Sequence, residues 1–222
     1  MSNPSHRLAV LHTVPALAQA LRPRLEATLP GWGFTDIVDE SLLAETIREG
    51  RLTEATKARL AQHLTTASRE ADAILVTCST LGEAVDALAT RLNVPVFRID
   101  RGMAEIAVQR ARRIGVLATL PTTLGPTGRL IRDTARDAGR SVEVTERLCE
   151  GAFARLAAGD RAGHDSMVQA GFAALTPQVD LVVLAQASMA NALVGHEGAV
   201  PVLTSPAPGI AAVAAALTSP PV

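Results

Sequence analysis

The sequence predicts an α/β protein with two pseudo-symmetric lobes, each a parallel sheet flanked by helices, and with an active-site cleft between them. The first observation is an internal repeat, in which three segments return later in the chain: residues 7–15 at 113–121, 94–97 at 200–203 and, more weakly, 38–42 at 144–148. An offset of roughly half the chain length indicates two similar lobes rather than one continuous domain.

The repeat also suggests where the lobes begin and end. No low-complexity linker separates the two halves, so the chain is expected to cross between lobes at strand ends. We predict lobe one at residues 1–98 plus 206–222 and lobe two at residues 99–205. The last helix would then pack on lobe one.

The second observation is an alternation of short β-branched runs with longer, Ala- and Leu-rich amphipathic stretches, which is typical of βα units around a parallel sheet. We predict strands near 7–12, 34–38, 72–77, 95–99, 113–118, 141–146, 180–185 and 201–203. We predict helices near 15–29, 53–70, 81–92, 102–111, 122–138, 160–176, 187–195 and 207–217.

The third observation concerns two apolar runs, residues 73–76 and 181–185, that lack alternation of polar and apolar side chains. Strands covered by helices on both faces show such continuous runs, because no side of the strand meets water. Both runs are therefore expected to be central strands.

Composition argues against several functions. The formal net charge is -1, and no Lys/Arg cluster carries interleaved aromatic residues, so we expect no nucleic-acid partner. No apolar stretch reaches the roughly 20 residues that span a bilayer, and the N-terminus lacks a signal-peptide pattern, so we expect no membrane partner and a cytoplasmic location. The two cysteines lack CxxC spacing, and no cluster shows metal-ligand spacing, so no metal is expected.

Polar residues follow several predicted strands. In open α/β sheets ligands bind outside the carboxyl ends of the strands, where loops meet helix N-termini. Four segments place polar groups there: His12 and Thr13; Cys78, Ser79 and Thr80; Thr119 with Thr122 and Thr123; and Gln186, Ala187 and Ser188. In two related lobes these loops are expected to face each other, with a small molecule bound between them.

Cys78 comes directly after a buried strand and directly before a helix. Free backbone N–H groups and the helix dipole favour a thiolate at such a position, so Cys78 is a candidate base or nucleophile. The alternative is a small apolar side chain that ends a core strand. The following residues, Thr80 to Glu83, fit a capping box, so the Thr80 hydroxyl is expected to cap the helix, to bind substrate, or to do both.

The other candidates have less distinctive contexts. Thr119, Thr122 and Thr123 supply hydroxyls and amides for an anionic group, and one of them is expected to be a helix N-cap. His12 is expected to orient or support the site rather than carry a proton. Cys149 lacks a repeated polar context and is expected to be structural. His63 and His164 are expected on solvated helix surfaces.

Aligning the two halves matches residues 71–79 with 179–187, and Cys78 then falls opposite Gln186. A duplicated α/β chain with Val-Thr-Cys-Ser-Thr after one strand and Leu-Ala-Gln-Ala-Ser-Met after its partner resembles the aspartate/glutamate racemase superfamily. That superfamily includes hydantoin and allantoin racemases, maleate isomerases and arylmalonate decarboxylases. The resemblance runs over nearly the whole chain.

The resemblance implies an enzyme without a cofactor that clamps a small carboxylate between its lobes, places a thiol on each side of the reacting carbon and forms a homodimer or larger oligomer. It also implies roles for residues of this chain: the first thiol for Cys78, carboxylate binding for Ser79 and Thr80, the second-lobe anion loop for Thr119, Thr122 and Thr123, and part of the second-thiol motif for Ser188.

Gln186 departs from this pattern, because an amide can neither accept nor donate a proton as a two-base racemase requires. It can donate a hydrogen bond to an enolate-like oxygen. Three functions stay open: an isomerase in which Cys78 is base or nucleophile, a decarboxylase-type lyase that needs one protonating group, and a non-catalytic carboxylate-binding protein. Of these we favour the isomerase, since the first thiol motif is intact.

Overall fold

The computed structural model describes residues 6–195 and 200–218. These residues form two compact units. Unit one contains the described residues up to Ile99 and those from Gly209 onward, and unit two runs from Asp100 to Pro208. None of the described helices has the length and apolar character needed to cross a lipid bilayer.

Unit one contains a four-stranded parallel sheet in the order β2-β1-β3-β4. Its strands are β1 (His6–His12), β2 (Trp32–Val38), β3 (Ala73–Val76) and β4 (Val96–Arg98). Its helices are α1 (Pro15–Thr28), α2 (Glu40–Glu49), α3 (Glu54–Ala67), α4 (Gly82–Ala89) and, for most of its length, α9 (Pro206–Thr218).

Unit two repeats this arrangement with a parallel sheet in the order β6-β5-β7-β8. Its strands are β5 (Arg113–Ala118), β6 (Glu143–Leu148), β7 (Leu181–Leu184) and β8 (Val202–Thr204). Its helices are α5 (Arg101–Arg110), α6 (Pro121–Asp137), α7 (Ala152–Ala157) and α8 (Arg161–Leu175), with short 3-10 segments at Thr176–Gln178 and Ala187–Leu193.

Both sheets are covered by helices on both faces, which explains the continuous apolar runs. In unit one, Leu11 and Ile74 pack with Leu60 and Leu64 of α3 on one face. The other face carries Leu8, Val10 and Leu75, packed with Leu21 and Leu25 of α1 and Ile210 and Val213 of α9. Unit two has the same two-sided core. The predicted α/β class with two parallel sheets is confirmed.

Some helices differ from the prediction. Helices α2 and α7 were not predicted, since α2 is short and mostly polar and α7 has only six residues. The helix expected at 187–195 is a 3-10 segment, Ala187–Leu193. Ser188 and Asn191 fall within it, and short polar side chains compete for backbone hydrogen bonds and disfavour a regular α-helix.

The sequence repeat aligns residues 38–42 with 144–148, and the strand pairing shows that this alignment is in the wrong register. Strand β1 pairs Leu8 with Phe34. The corresponding residue of β5, Ile114, pairs with Val144. Val144 is therefore the counterpart of Phe34 and not of Val38, because the connection from β5 to β6 is longer than that from β1 to β2.

Candidate functional site

Cys78 lies at the carboxyl end of β3, on extended backbone (φ -110°, ψ 108°), directly before a 3-10 turn at Ser79–Leu81. The thiol is partly buried. The Thr13 hydroxyl, the Thr80 hydroxyl and the backbone N–H groups of Thr80 and Leu81 lie near its sulfur as potential hydrogen-bond donors. The N–H of Leu81 also donates to the carbonyl of Cys78 at 3.1 Å. Four donors from two neighbouring strand ends thus converge on one sulfur.

Burial and these donors shift the pKa of Cys78 in opposite directions. Burial raises the pKa of the thiol, the hydrogen bonds from Thr13, Thr80 and Leu81 lower it, and burial is the larger effect. The donors expected from the sequence are present, but they do not make the resting group a thiolate. Once the proton has been removed, the sulfur is already surrounded by hydrogen-bond donors.

Helix α4 begins at Gly82 with Leu81 at its N-cap position, one residue later than a capping box of Thr80 and Glu83 predicts. The chain enters the helix through the 3-10 turn at Ser79–Leu81, and the Thr80 hydroxyl of this turn acts on the sulfur of Cys78. Ser79 is buried beside it.

A buried arginine supports the helix that follows this turn. Arg98, at the end of β4, has a side chain only 4% exposed and forms an ion pair of 2.6 Å with Asp86 of α4. Its guanidinium lies against the backbone of Gly82, where a Cβ atom would overlap it, with Nε of Arg98 only 2.6 Å away. A side chain at this position would therefore force the guanidinium of Arg98 to move.

Replacing Gly82 with alanine is expected to destabilise the protein by about 1–3 kcal/mol, because the buried guanidinium has to leave its place beside Asp86. Urea unfolding would measure this. The matched control is Gly125→Ala in α6, where the nearest atom to a new Cβ is the end of the Arg129 side chain at 3.2 Å. Equal stability of the two variants would contradict the packing described for Arg98.

His12 lies at the end of β1 and its ring is fully buried. Its Nδ1 is 3.0 Å from Oγ1 of Thr77 and its Nε2 is 3.4 Å from Oδ1 of Asp36. Arg22 donates to the other carboxylate oxygen of Asp36 at 2.6 Å. Burial lowers the pKa of His12 and is the largest effect. The Asp36 carboxylate raises this pKa, and the Arg22 guanidinium lowers it further. Both ring nitrogens are thus engaged inside unit one.

Asp39 fixes the loop that follows β2. Its backbone N–H donates to the carbonyl of His12 at 2.9 Å, and its carboxylate caps α2 by accepting from the N–H of Ser41 at 3.0 Å. The second carboxylate oxygen is 2.8 Å from Nε2 of His63. His63 lies partly exposed on α3, and this hydrogen bond ties its ring to the start of α2.

Asp39 should make a pH-dependent contribution to stability. Burial raises the pKa of its carboxyl, but hydrogen bonds from Ser41 and His63 outweigh burial and hold the pKa below its ordinary value. A lowered folded-state pKa stabilises the protein above the ordinary carboxyl titration, and this contribution is lost as the pH falls through the folded-state pKa. Asp39→Asn should therefore cost about 1 kcal/mol at pH 7 and progressively less below about pH 4.

Urea unfolding of the wild type and of Asp39→Asn at several pH values measures this difference. The control is Glu40→Gln, the exposed neighbouring carboxylate in the same helix turn. A stability difference for Asp39→Asn that is the same at pH 3 and pH 7 would show that the carboxylate charge does not stabilise the cap.

In unit two, the side chain of Gln186 is bound at both ends to Thr119. Its Oε1 accepts from the backbone N–H of Thr119 at 2.7 Å, and its Nε2 donates to the Thr119 hydroxyl at 2.8 Å. A backbone N–H can only donate, so the orientation of the amide is fixed by chemistry. Thr119 itself is only 3% exposed.

The strand register makes Thr119 the counterpart of Thr13 and Gln186 the counterpart of Cys78. The direction of the hydrogen bond is reversed between the two units. In unit one the threonine hydroxyl donates to sulfur, and in unit two it accepts from the amide. Unit two therefore keeps the threonine and replaces the thiol with a group that cannot carry a proton.

The remaining candidates in unit two follow the carboxyl ends of β5 and β7. Helix α6 begins at Pro121 after Leu120 and has no side-chain cap, so the prediction of a threonine N-cap is wrong. Thr123 is buried, and the Thr122 hydroxyl is buried without a hydrogen-bond partner among the described residues. Two further candidates, the partly exposed Ala187 and the exposed Ser188, belong to the 3-10 segment after β7.

Cys149 and His164 both lie in the interior of unit two. Cys149 is 5% exposed and packs in the core. His164 is fully buried, so the prediction of a solvated ring is wrong; its Nδ1 lies 2.7 Å from Oδ1 of Asp165. Its spacing from Val168 and Phe172 on α8 is helical, and that spacing could have placed it on the buried face.

Three supporting residues were not singled out from the sequence: Thr77, Arg98 and Asp39. Thr77 stands beside Cys78 in the Val-Thr-Cys-Ser-Thr motif, and that proximity was the available signal. Arg98 and Asp39 act through partners distant in sequence. Among the described residues, no three His, Cys, Asp or Glu side chains are grouped so that they could hold a metal ion.

Comparison with known proteins gives one family. The model of the Asp/Glu/Hydantoin racemase family matches residues 4–219. No curated protein matches the sequence at a significant level. Several solved structures share the fold at low sequence identity.

A glutamate racemase from Bacillus anthracis superposes with a TM-score of 0.77 at 17% identity, covering 97% of this chain and 82% of that one. An aspartate racemase from Picrophilus torridus gives 0.69 at 12% identity, covering 96% and 94%. An allantoin racemase from Klebsiella pneumoniae gives 0.63 at 16% identity, covering 96% and 87%.

Proposed function

Because the chain belongs to the Asp/Glu/Hydantoin racemase family, an enzyme family of racemase or isomerase type, we propose that it is a cofactor-independent isomerase of a small carboxylic acid with Cys78 as base or nucleophile. The observation that carries this proposal is the set of four donors around the Cys78 sulfur. Thiols that only fill a core have no need of such donors.

The same donors suit either form of catalysis. As a base, the Cys78 thiolate would take the proton from the carbon next to the carboxylate, and the hydrogen bonds from Thr13 and Thr80 would stabilise the anion before the transfer. As a nucleophile, it would add to an unsaturated acid and leave again after rotation about the former double bond. In the first case the carbanion takes a proton back from the Cys78 thiol or, on its other face, from water, and in the latter event the thiol loses its proton to solvent. In the second case the leaving sulfur is again the thiolate that attacked.

Hydroxyl groups near the strand ends are the proposed carboxylate ligands. In unit one the Ser79 hydroxyl of the turn is the first such ligand, and the hydroxyls of Thr13 and Thr80 can turn their one hydrogen from the sulfur to the carboxylate when Cys78 is a thiol. In unit two the hydroxyl of Thr122 is the strongest candidate, since it is buried and has no partner among the described residues. A buried hydroxyl without a partner costs free energy, which a bound carboxylate oxygen would recover.

Gln186 has a further role in this proposal beyond the one its sequence position suggests. Both ends of its amide bind Thr119, which fixes the amide in place, and one of the two hydrogens on Nε2 is left to donate to an enolate oxygen. Gln186 also holds Thr119, and because that hydroxyl accepts from the amide, its own hydrogen is available for an oxygen of the substrate. The chain thus supplies one proton-carrying thiol rather than two.

A lyase is the second candidate, and the single thiol favours it. Loss of carbon dioxide generates a carbanion by itself, so one protonating group suffices, and Cys78 supplies one.

A non-catalytic carboxylate-binding protein is the third candidate, in which the donors around Cys78 would only support the fold.

One experiment separates the three functions. The protein is incubated in deuterated water with a panel of amino acids, hydantoins, substituted malonates and unsaturated diacids, and NMR and carbon dioxide release are followed. Isomerisation or exchange without carbon dioxide release supports the isomerase. Release of carbon dioxide with deuterium incorporation identifies the lyase. Ligand-induced chemical shift changes without turnover of any compound identify the binding protein.

A further inference from the structure

The buried side chain of Arg98 borders the turn that follows Cys78. Arg98 pairs with Val76, two residues before the cysteine, so its side chain lies on the same face of the sheet as Cys78. Its guanidinium lies against Gly82, the first residue of α4. The N–H of Gly82 donates to the carbonyl of Ser79 and so closes the 3-10 turn. Arg98 therefore contacts the residue at which the turn ends.

We propose that Arg98 is a positioning residue for Cys78, which acts through Gly82 by holding the turn whose donors face the sulfur. Three of the four donors near the sulfur belong to this turn: the N–H groups of Thr80 and Leu81 and the Thr80 hydroxyl. The inference rests on the proposed function, since it concerns the thiol that would carry out the reaction, but the thiol can be tested without a substrate.

The contact between Arg98 and Gly82 is direct. A Cβ atom on Gly82 would overlap the guanidinium, so the planar group lies on the backbone with no side chain between them. The Arg98 side chain is also enclosed, with only 4% of it exposed. The end of the turn therefore cannot move toward Arg98 without pushing a buried side chain out of its place.

Asp86 fixes the guanidinium in this place. It follows Gly82 by one helical turn on α4, and its Oδ2 accepts from Arg98 at 2.6 Å. Because Gly82 and Asp86 belong to the same helix, the guanidinium ties the start of α4 to the end of β4. The donors of the turn are thus anchored on a strand next to the one that carries Cys78.

The stability of α4 alone does not explain this arginine. The N-terminus of a helix is the positive end of its dipole, where a cation is unfavourable, and Arg98 lies beside the first residue of α4. Asp86 offsets the charge, but an apolar pair would avoid the cost of burying it. A role in holding the turn accounts for a buried cation at this end of the helix.

Unit two has neither residue of this contact. The strand register places Thr204 opposite Arg98, and the offset that aligns the thiol with its counterpart aligns Gly82 with Ala190. Threonine carries no guanidinium, and alanine carries the Cβ atom that Gly82 lacks. The arginine and the glycine occur together in the unit that has the thiol, as expected if they serve it.

The test is the rate at which iodoacetamide alkylates Cys78 between pH 7 and 11, followed by peptide mass spectrometry. Hydrogen bonds from Thr80 and Leu81 lower the pKa of the thiol, so a loosened turn should raise it. Arg98→Met should raise the midpoint of this titration by about one pH unit, which slows alkylation below the midpoint about tenfold. The control is Leu25→Val, in the core on the opposite face of the sheet, which should leave the midpoint unchanged.

Two further variants test the route through Gly82. Arg98→Lys retains a cation beside Asp86 but lacks the planar group that lies on Gly82, so it should raise the midpoint as well. Gly82→Ala displaces the guanidinium, and combining it with Arg98→Met should add little to the shift, because both substitutions remove one contact. Circular dichroism and amide NMR spectra establish that the variants are folded.

Three results would overturn the proposal. The first is a wild-type midpoint in either Arg98 variant. The second is an additive shift when Gly82→Ala and Arg98→Met are combined, since the arginine would then act by another route. The third is an equal shift in Leu25→Val, which would trace the effect to general loosening of the fold. All of these measurements are made without a substrate, so failure of the proposed isomerase function would remain distinguishable.

Discussion

Replacement of Cys78 by serine is expected to reduce turnover at least about a thousandfold, since a serine hydroxyl is far too weak an acid to supply the anion that either mechanism needs. The smaller oxygen can still accept from Thr13 and from the N–H groups of the turn, so the fold should be unchanged. Steady-state kinetics on the best compound of the panel and circular dichroism measure the two effects.

The matched control removes the other thiol. Cys149 lies in the core of unit two, and Cys149→Ala should retain most of the activity while costing about 1 kcal/mol of stability. A fully active Cys78→Ser protein would rule out both enzymatic functions. Equal loss of activity in the two variants would point to a general effect of thiol removal rather than to Cys78.

Replacement of Gln186 by cysteine is expected to add a second proton-carrying group at the position that corresponds to Cys78 in the repeat. Thr119 is the counterpart of Thr13, and without the amide its hydroxyl is free to donate to a thiol as Thr13 does. Interconversion of the enantiomers of a chiral substrate should rise by about tenfold or more relative to exchange of one enantiomer. Chiral chromatography combined with deuterium incorporation gives both rates.

Gln186→Ser is the control for this change, because it removes the same amide without introducing a group that titrates near neutral pH. It should not raise the rate of interconversion. If serine and cysteine raise it equally, the amide merely obstructs the reaction; if neither does, position 186 is not the second catalytic position.

The architecture was predictable because its causes are local in sequence. Strands buried on both faces leave continuous apolar runs such as 73–76, and the repeat fixes which strands correspond. The same repeat placed Gln186 opposite Cys78, which the strand register bears out. The repeat aligned the wrong residues where the connections between strands differ in length, as between β5 and β6 before Val144.

The hydrogen bonds of the candidate site were not predictable in the same way. Gln186 and Thr119 are 67 residues apart, and nothing in either local sequence indicates that one amide binds both groups of one threonine. The local signal at Thr80 suggested a helix cap and gave no indication that its hydroxyl also acts on the sulfur of Cys78. Such details depend on the exact path of the chain at strand ends.

The central claim is that this chain carries its chemistry on one thiol, Cys78, with no second proton carrier at Gln186. The most direct test follows deuterium incorporation from solvent into each enantiomer of the preferred substrate separately, using the wild-type protein. The account predicts that one enantiomer exchanges its α-hydrogen much faster than it is converted into the other. Equal exchange of both enantiomers, at the rate of their interconversion, would contradict it.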